Sequence, residues 1–195
     1  MPAENSTIAL FPLHTVLFPG GPLPLRIFET RYTDMVGRCM REQQPFGVVL
    51  IQEGEEAGPV ATTAIIGCSA RIADFHTLQD GLLGISCVGE RKFRVEDLQR
   101  QADGLNVAAV EWLAREPEIP LSSDYSRLGA TVRRALDELS EHYEYVEKKF
   151  DDASWVGSRL AELLPIALDD KQVLLELDDP IARLDALLEL IPAEG

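Results

Sequence analysis

The chain has 195 residues, 46% of them hydrophobic and 26% charged, which is typical of a globular protein with one large domain or two small ones. Its formal net charge at pH 7 is −15. So acidic a chain repels phosphate groups, which argues against general binding to nucleic acids or to anionic membranes.

Residues 1–115 are predicted to form a β-rich domain. Short runs that are apolar, β-branched or alternating are typical of strands, and they recur at 8–11, 23–28, 46–51, 64–72, 82–88, 92–95 and 105–112. Pro24 restricts the second run to a sheet edge or an irregular strand. Asp80-Gly81 stands between two apolar runs and predicts a hairpin turn. Many short strands with glycine turns favour a closed or half-closed, mostly antiparallel barrel.

One helix is predicted to interrupt these strands, from about Thr30 to Glu42. Its apolar residues recur at steps of three and four, which places them on one helical face: Tyr32, Met35, Val36, Cys39 and Met40. The β-rich part therefore has one inserted helix.

Residues 116–195 are predicted to form a bundle of helices. A joint with two prolines, residues 115–123, precedes them, and most of the excess acid lies after it. Apolar residues at helical spacing from Leu128 to Phe150 predict one long amphipathic helix. Three shorter helices follow, with residues that can cap them: Asp151, Asp152 or Ser154, then Asp169 or Asp170, then Asp178 or Asp179. Pro180 suits the first position of the last helix.

No catalytic or metal-binding pattern stands out. The chain has no G-x-x-x-x-G-K-[ST] loop to hold a nucleotide, and Gly84-Ile85-Ser86-Cys87-Val88-Gly89 has the wrong spacing for a nucleophile elbow. Its three histidines lack ligand partners at helical spacing. We therefore expect no catalytic residue, no metal and no cofactor.

The expected location is the cytoplasm. Three cysteines far apart argue against a disulfide framework and favour reduced thiols. The start of the chain does not read as a signal peptide, and no apolar stretch reaches the roughly 18–20 residues that span a bilayer.

The most distinctive motif lies in residues 10–32, which read LFPLHTVLFPG and then LPLRIFETRY. This string resembles the opening of the N-terminal substrate-recognition domain of Lon protease, which also occurs in stand-alone bacterial proteins and in the cereblon N-terminal region. Further resemblances follow in order at 46–50, 66–72, 80–81, 88–95, 159–165, 171–176 and 183–184, with Cys68 where the family more often has threonine.

The resemblance implies an α+β fold: a PUA-like β-barrel in residues 1–115, followed by a C-terminal helical bundle in residues 116–195. It also implies a non-catalytic module, because nothing in these residues corresponds to the ATPase and Ser/Lys protease modules of full-length Lon. The implied partners are unfolded or apolar protein segments, with an adaptor or weak chaperone role and a protease or chaperone as a further candidate partner. The alternative is a reader of small molecules or RNA, which the barrel type permits and the negative charge disfavours in the case of RNA.

Within the motif, two interpretations stay open for the apolar side chains: they fill the barrel end, or they form an exposed patch for apolar peptides. The candidate peptide-binding residues are Phe11, Leu13, Leu17, Phe18, Arg26, Phe28 and Tyr32. The candidate structural residues are Pro12, Pro19, Gly20, Pro24, Glu29, Arg31, Glu90 and Arg91. The prolines stiffen an extended loop, and Gly20 permits a turn with positive φ. Glu29 and Arg31 are expected either to hold the helix start or to pair with Arg91 and Glu90.

Overall fold

The structure is a computed structural model that describes residues 5–54, 56 and 62–191. Its strands are β1 (Asn5–Leu13), β2 (Pro22–Ile27), β3 (Phe46–Glu53), β4 (Thr62–Thr63), β5 (Ile66–Thr77), β6 (Leu83–Arg100) and β7 (Asn106–Trp112). Its α-helices are α1 (Thr30–Glu42), α2 (Ser126–Glu138), α3 (Ala153–Leu163), α4 (Leu168–Glu176) and α5 (Pro180–Leu190). No helix among these described residues is long and apolar enough to cross a membrane.

The strands form a closed barrel. They pair in the order β1-β7-β6-β5-β3-β4, and β1 also pairs with β3, which closes the ring. The β1–β3 pair is parallel and the other pairs are antiparallel. Strand β2 pairs with β6 outside this ring. The predicted α+β class is therefore confirmed, and α1 has the predicted bounds.

Strand β6 is longer than the sequence indicates, because the strands predicted at 82–88 and 92–95 form one continuous strand. Gly89 reads as a break between them. A Cβ on Gly89 would lie 2.2 Å from the carbonyl oxygen of Phe18, so glycine is required there for the motif loop to approach β6. Gly20 N–H donates to the Gly89 carbonyl at 2.7 Å, and Gly20 has the expected positive φ of 73°.

The long helix predicted from Leu128 to Phe150 is wrong. Helix α2 ends at Glu138, a 3₁₀ turn covers Ser140–Tyr143, and irregular chain leads on to α3. Tyr143 and Val146 are buried in the same core cluster as α2. The apolar spacing therefore comes from tertiary contacts beyond the helix, where serine, histidine and tyrosine give little helical propensity of their own.

The caps of the later helices follow the prediction in two of three cases. The Asp152 carboxylate accepts from Ser154 N–H, and that of Asp179 accepts from Ile181 N–H ahead of Pro180. The cap position of α4 is Ala167, so Asp169 and Asp170 lie in the first turn instead. Their charges are favourable there because the helix N-terminus carries a partial positive charge.

The largest core cluster joins the barrel to the helices. Val16, Phe18, Leu50, Ala64 and Val88 from the first 115 residues pack with buried side chains of α2, α3, α4 and α5. A second cluster packs four buried residues of α1 against side chains of β1, β2, β3, β5 and β6, and a third joins β1, β3, β6 and β7. The division of the chain into domains at 115/116 stays a prediction, but the helices cover apolar surface of the barrel.

A charged junction, buried except for one of its carboxylates, also crosses from barrel to helices. We use this name for Lys92, Glu116, Asp178 and Arg183. The Lys92 ammonium lies 3.1 Å from Glu116 and 2.8 Å from Asp178, and the Arg183 guanidinium binds both oxygens of Glu116 at 2.6 and 2.8 Å. Lys92 also donates to the carbonyls of Leu175 and Leu177. The junction thus connects β6, the joint and the helical part.

A fragment of residues 1–115 is expected to aggregate, because it would expose the side chains that the helices cover. Solubility on expression and size-exclusion chromatography would measure this, with the 195-residue chain as control. A soluble, monomeric fragment that unfolds cooperatively would show instead that the barrel is an independent domain.

Candidate functional site

The seven candidate peptide-binding side chains fall into two sets. Five are buried: Phe11, Leu13, Leu17, Phe18 and Tyr32. Phe28 is 63% exposed, and Arg26 is exposed and paired with Asp80. The interpretation of the motif as an exposed apolar patch is therefore wrong for the first set, whose side chains pack into the core clusters.

Five of the seven nevertheless line one cavity of about 450 Å³ beside β2, which we call the motif groove. Its floor is apolar and consists of Phe11, Leu13, Leu23, Ile27 and Tyr32. Its rim carries Phe28 and the polar side chains of His14, Arg26, Glu29 and Glu56. Leu17 and Phe18 do not line it; Phe18 belongs to the core between barrel and helices.

The floor of the groove is held by aromatic stacking. The rings of Phe11 and Tyr32 lie 3.8 Å apart and nearly parallel, which fixes the end of β1 against the first turn of α1. Burial raises the pKa of the Tyr32 phenol above its usual value of 10.0, so the ring is neutral at physiological pH. The floor therefore offers an uncharged surface to a ligand.

Arg31 fixes the entrance of α1 at one side of the groove. Its guanidinium pairs with Glu29 at 2.8 Å, donates to the Gly104 carbonyl at 2.9 Å and lies 4.6 Å from the centre of the Tyr32 ring. The alternative that Glu29 and Arg31 pair with Arg91 and Glu90 is wrong. Glu90 pairs with Arg71, and Arg91 donates to the Leu113 carbonyl. The folded chain places these two pairs on different parts of the barrel.

Strand β2 lines one side of the groove. Among the described residues, β2 pairs with one strand, β6. This agrees with the edge position predicted from Pro24. Pro22 and Pro24 have no N–H, so β2 lacks two of the donors that an added strand would need. A bound peptide is therefore expected to use side-chain contacts in the groove more than backbone pairing with β2.

Sequence reasoning missed seven groove residues: His14, Thr15, Pro22, Leu23, Leu25, Ile27 and Glu56. Leu23 and Ile27 lie in the same motif string, and their alternation with exposed residues was the available signal. Glu56 lies far along the chain, and its side chain accepts from His14 N–H at 2.9 Å. No local pattern predicts that contact.

The thiols take no part in this site. All three cysteines are free and buried, and burial raises the pKa values of Cys68 and Cys87 to about 12. Such thiols stay protonated and unreactive at neutral pH. Within the part of the chain that the structure describes, no group of three His, Cys, Asp or Glu side chains could hold a metal ion.

The chain is similar over nearly its whole length to one family of domains. Residues 7–193 match the model of the ATP-dependent protease La (LON) substrate-binding domain. The crystal structure of a Lon N-terminal domain protein from Xanthomonas campestris is 37% identical, with a TM-score of 0.79, and the match covers 96% of this chain and 99% of that one.

Longer relatives match only in part of their length. Lon protease 2 of Myxococcus xanthus is 26% identical over 191 residues, which are 94% of this chain and 23% of the relative. Protein cereblon of Danio rerio is 32% identical over 101 residues, which are 50% of this chain and 23% of cereblon. The chain thus spans about a quarter of the length of these relatives. With the family model matching all but its ends, the chain belongs to the Lon substrate-binding domain family.

Proposed function

We propose that the motif groove binds extended apolar segments of other proteins, without a cofactor and without catalysis. The observation that carries this proposal is the convergence of five of the seven candidate peptide-binding residues on one cavity with an apolar floor, in a chain of a substrate-binding family. A volume of about 450 Å³ is in the range of ligand pockets and suits a few side chains of a bound segment.

The rim gives the groove a preference among apolar segments. Exposed Phe28 offers an aromatic contact, and Arg26, Glu29 and His14 offer charged or polar contacts at the edges. Binding through an apolar floor and a polar rim follows the usual anatomy of protein interfaces. The affinity is expected to be micromolar or weaker, about −8 kcal/mol or less in magnitude, because a flexible peptide loses entropy on docking.

In the cell we propose that the chain acts in the cytoplasm as an adaptor or weak chaperone. Either it holds unfolded clients or it presents them to a protease or chaperone partner. The support is the family membership together with the groove. An RNA-reading role is disfavoured by the net charge of −15.

Replacing Phe28 by alanine is expected to weaken binding of an unfolded model client by about 1–2 kcal/mol, because an exposed aromatic at an interface often contributes this much. The melting temperature should stay unchanged, since the side chain is mostly in solvent. Phe75→Ala is the matched control, because Phe75 is an exposed aromatic of the same barrel and does not line the groove.

Fluorescence anisotropy with a labelled unfolded peptide would measure both affinities, with a labelled RNA of similar length in parallel. Equal losses of peptide affinity in Phe28→Ala and Phe75→Ala would mean that the contact is nonspecific and that the groove is not the binding site. Tighter binding of the RNA than of the peptide would reverse the proposed ligand class.

A further inference from the structure

A second cavity, of about 380 Å³, lies between the barrel and the helices. The turn at Pro19-Gly20 and residues 88–92 of β6 form one wall, and the first turns of α3, with Trp155 and Ser158, form the other. It is separate from the motif groove, with which it shares no lining residue.

Two buried donors without a partner lie next to Gly20, which lines this cavity together with Trp155. Among the described side chains, Trp155 Nε1 and one guanidinium nitrogen of Arg159, Nη1, are buried and have no hydrogen-bond partner. Trp155 is 6% exposed and Arg159 is 0% exposed. A Cβ on Gly20 would lie 3.0 Å from that Arg159 nitrogen and 3.7 Å from the Trp155 nitrogen. Both donors thus lie close to Gly20, with Trp155 in the cavity wall and Arg159 directly behind Gly20.

The rest of the Arg159 guanidinium is fixed. Its Nε and Nη2 atoms donate to the two oxygens of Glu162 at 2.8 Å each, and Nη2 also donates to the Pro19 carbonyl at 3.0 Å. The unpartnered nitrogen is therefore held in place and is not a mobile end. An unmade hydrogen bond of a buried donor costs free energy, which an acceptor in the cavity would recover.

Two cations in the wall of the cavity have no carboxylate partner among the described residues. The carboxylates in its wall already have partners: Glu90 with Arg71, Glu116 with Lys92 and Arg183, Glu118 and Glu147 with Lys149, and Asp152 with the N–H groups of Ile119 and Ser154. Arg91 and Arg115 also line the wall, and neither has a carboxylate partner among the described residues. The lining as a whole has five basic and five acidic side chains, so Arg91 and Arg115 are the cations that remain for an anion.

We propose that this cavity binds an oxyanion, the carboxylate or phosphate group of a small ligand or of a peptide terminus. The oxygen accepts from Trp155 and Arg159 beside Gly20, and Arg91 and Arg115 balance the charge. This site is independent of peptide binding in the motif groove, and either one can fail without the other.

The indole N–H resonances provide a direct test, because the chain has two tryptophans. Trp112 Nε1 already donates to Ser6 Oγ, so it is an internal control, and a Trp112→Phe variant assigns the two signals. The ¹⁵N-labelled 195-residue protein is titrated with sodium phosphate, sodium acetate, and a short peptide whose carboxyl terminus is free or amidated. Sodium chloride at equal ionic strength corrects for general salt effects.

The expected result is a saturable shift of the Trp155 signal with at least one anion, larger than that of Trp112, and a melting temperature that rises with its concentration. If the peptide with a free carboxyl terminus binds about tenfold tighter than acetate and amidation abolishes its binding, a chain terminus is the source of the carboxylate. Preference for phosphate would identify a phosphorylated small ligand. No saturable shift with any of these probes beyond that of chloride would overturn the proposal and leave water in the cavity.

Two variants separate the site from the fold. Trp155→Phe removes one unpartnered donor, so the rise of the melting temperature with anion should be lost, whatever the smaller ring costs in packing. Arg115→Gln changes an exposed side chain and should weaken the anion effect several-fold without unfolding. An anion effect that persists undiminished in both variants would contradict the assigned site.

Discussion

Replacing Phe18 by alanine is expected to destabilise the protein by roughly 3–5 kcal/mol, the usual cost of removing a buried phenylalanine. Phe18 is 0% exposed and packs between the barrel and the helices. The substitution removes apolar contacts and leaves a cavity at the interface that joins both parts. For a chain of this size the melting temperature should fall on the order of 10 °C.

Urea unfolding followed by circular dichroism would measure the change in free energy. Phe28→Ala is the control, because it makes the same chemical change on an exposed phenylalanine of the same motif and should leave stability unchanged. Client affinity measured well below the melting temperature should be nearly unchanged in Phe18→Ala, since Phe18 does not line the motif groove. A loss of affinity with full stability would mean that Phe18 contacts the client after all.

Replacing Glu116 by glutamine is expected to lower the free energy of unfolding by about 3–5 kcal/mol, because it leaves buried cations without their carboxylate. Lys92 and Arg183 are both almost fully buried, and the other carboxylate of the junction, Asp178, is largely exposed. Glu118→Gln is the matched control. Glu118 lies two residues away, pairs with Lys149 in solvent, and should change the unfolding midpoint little.

The contribution of the Glu116 carboxylate to the free energy of unfolding should also depend on pH. Burial acts to raise the pKa of this carboxyl, but the hydrogen bonds and charge of Arg183, together with Ser154 and Lys92, lower the pKa below its usual value of 4.5. A lowered pKa in the folded state means that the stabilising contribution is present above the unfolded value and is lost as the pH falls through the folded value. The difference in stability between the original protein and Glu116→Gln should therefore narrow below about pH 4.5.

Measuring the unfolding free energy of both proteins between neutral pH and pH 3 would test this dependence. A constant difference across that range would show that the charge on Glu116 contributes nothing to the effect. If Glu116→Gln lowers the unfolding free energy at neutral pH no more than Glu118→Gln does, the charged junction does not hold the helices on the barrel.

Local patterns account for the elements that the sequence predicts well. The bounds of α1 follow from apolar steps of three and four between Thr30 and Glu42, and the strands follow from alternation and β-branched runs. Asp179 with Pro180 marks the start of α5 because both a cap and a fixed φ act within one turn. The motif in residues 10–32 predicted the family, which its match over residues 7–193 confirms.

What the sequence determined by itself is thus the fold class, the short-range elements, the family and the segment that forms the groove. The tertiary structure decided which motif side chains lie in the core and which in solvent, because burial depends on the elements that pack against a face. It also decided that β6 runs through Gly89, that α2 stops at Glu138, and that Glu116 meets Arg183 from 67 residues away. These outcomes depend on contacts between segments that are distant along the chain. The local spacing of residues in one segment does not encode which distant segment will pack against it.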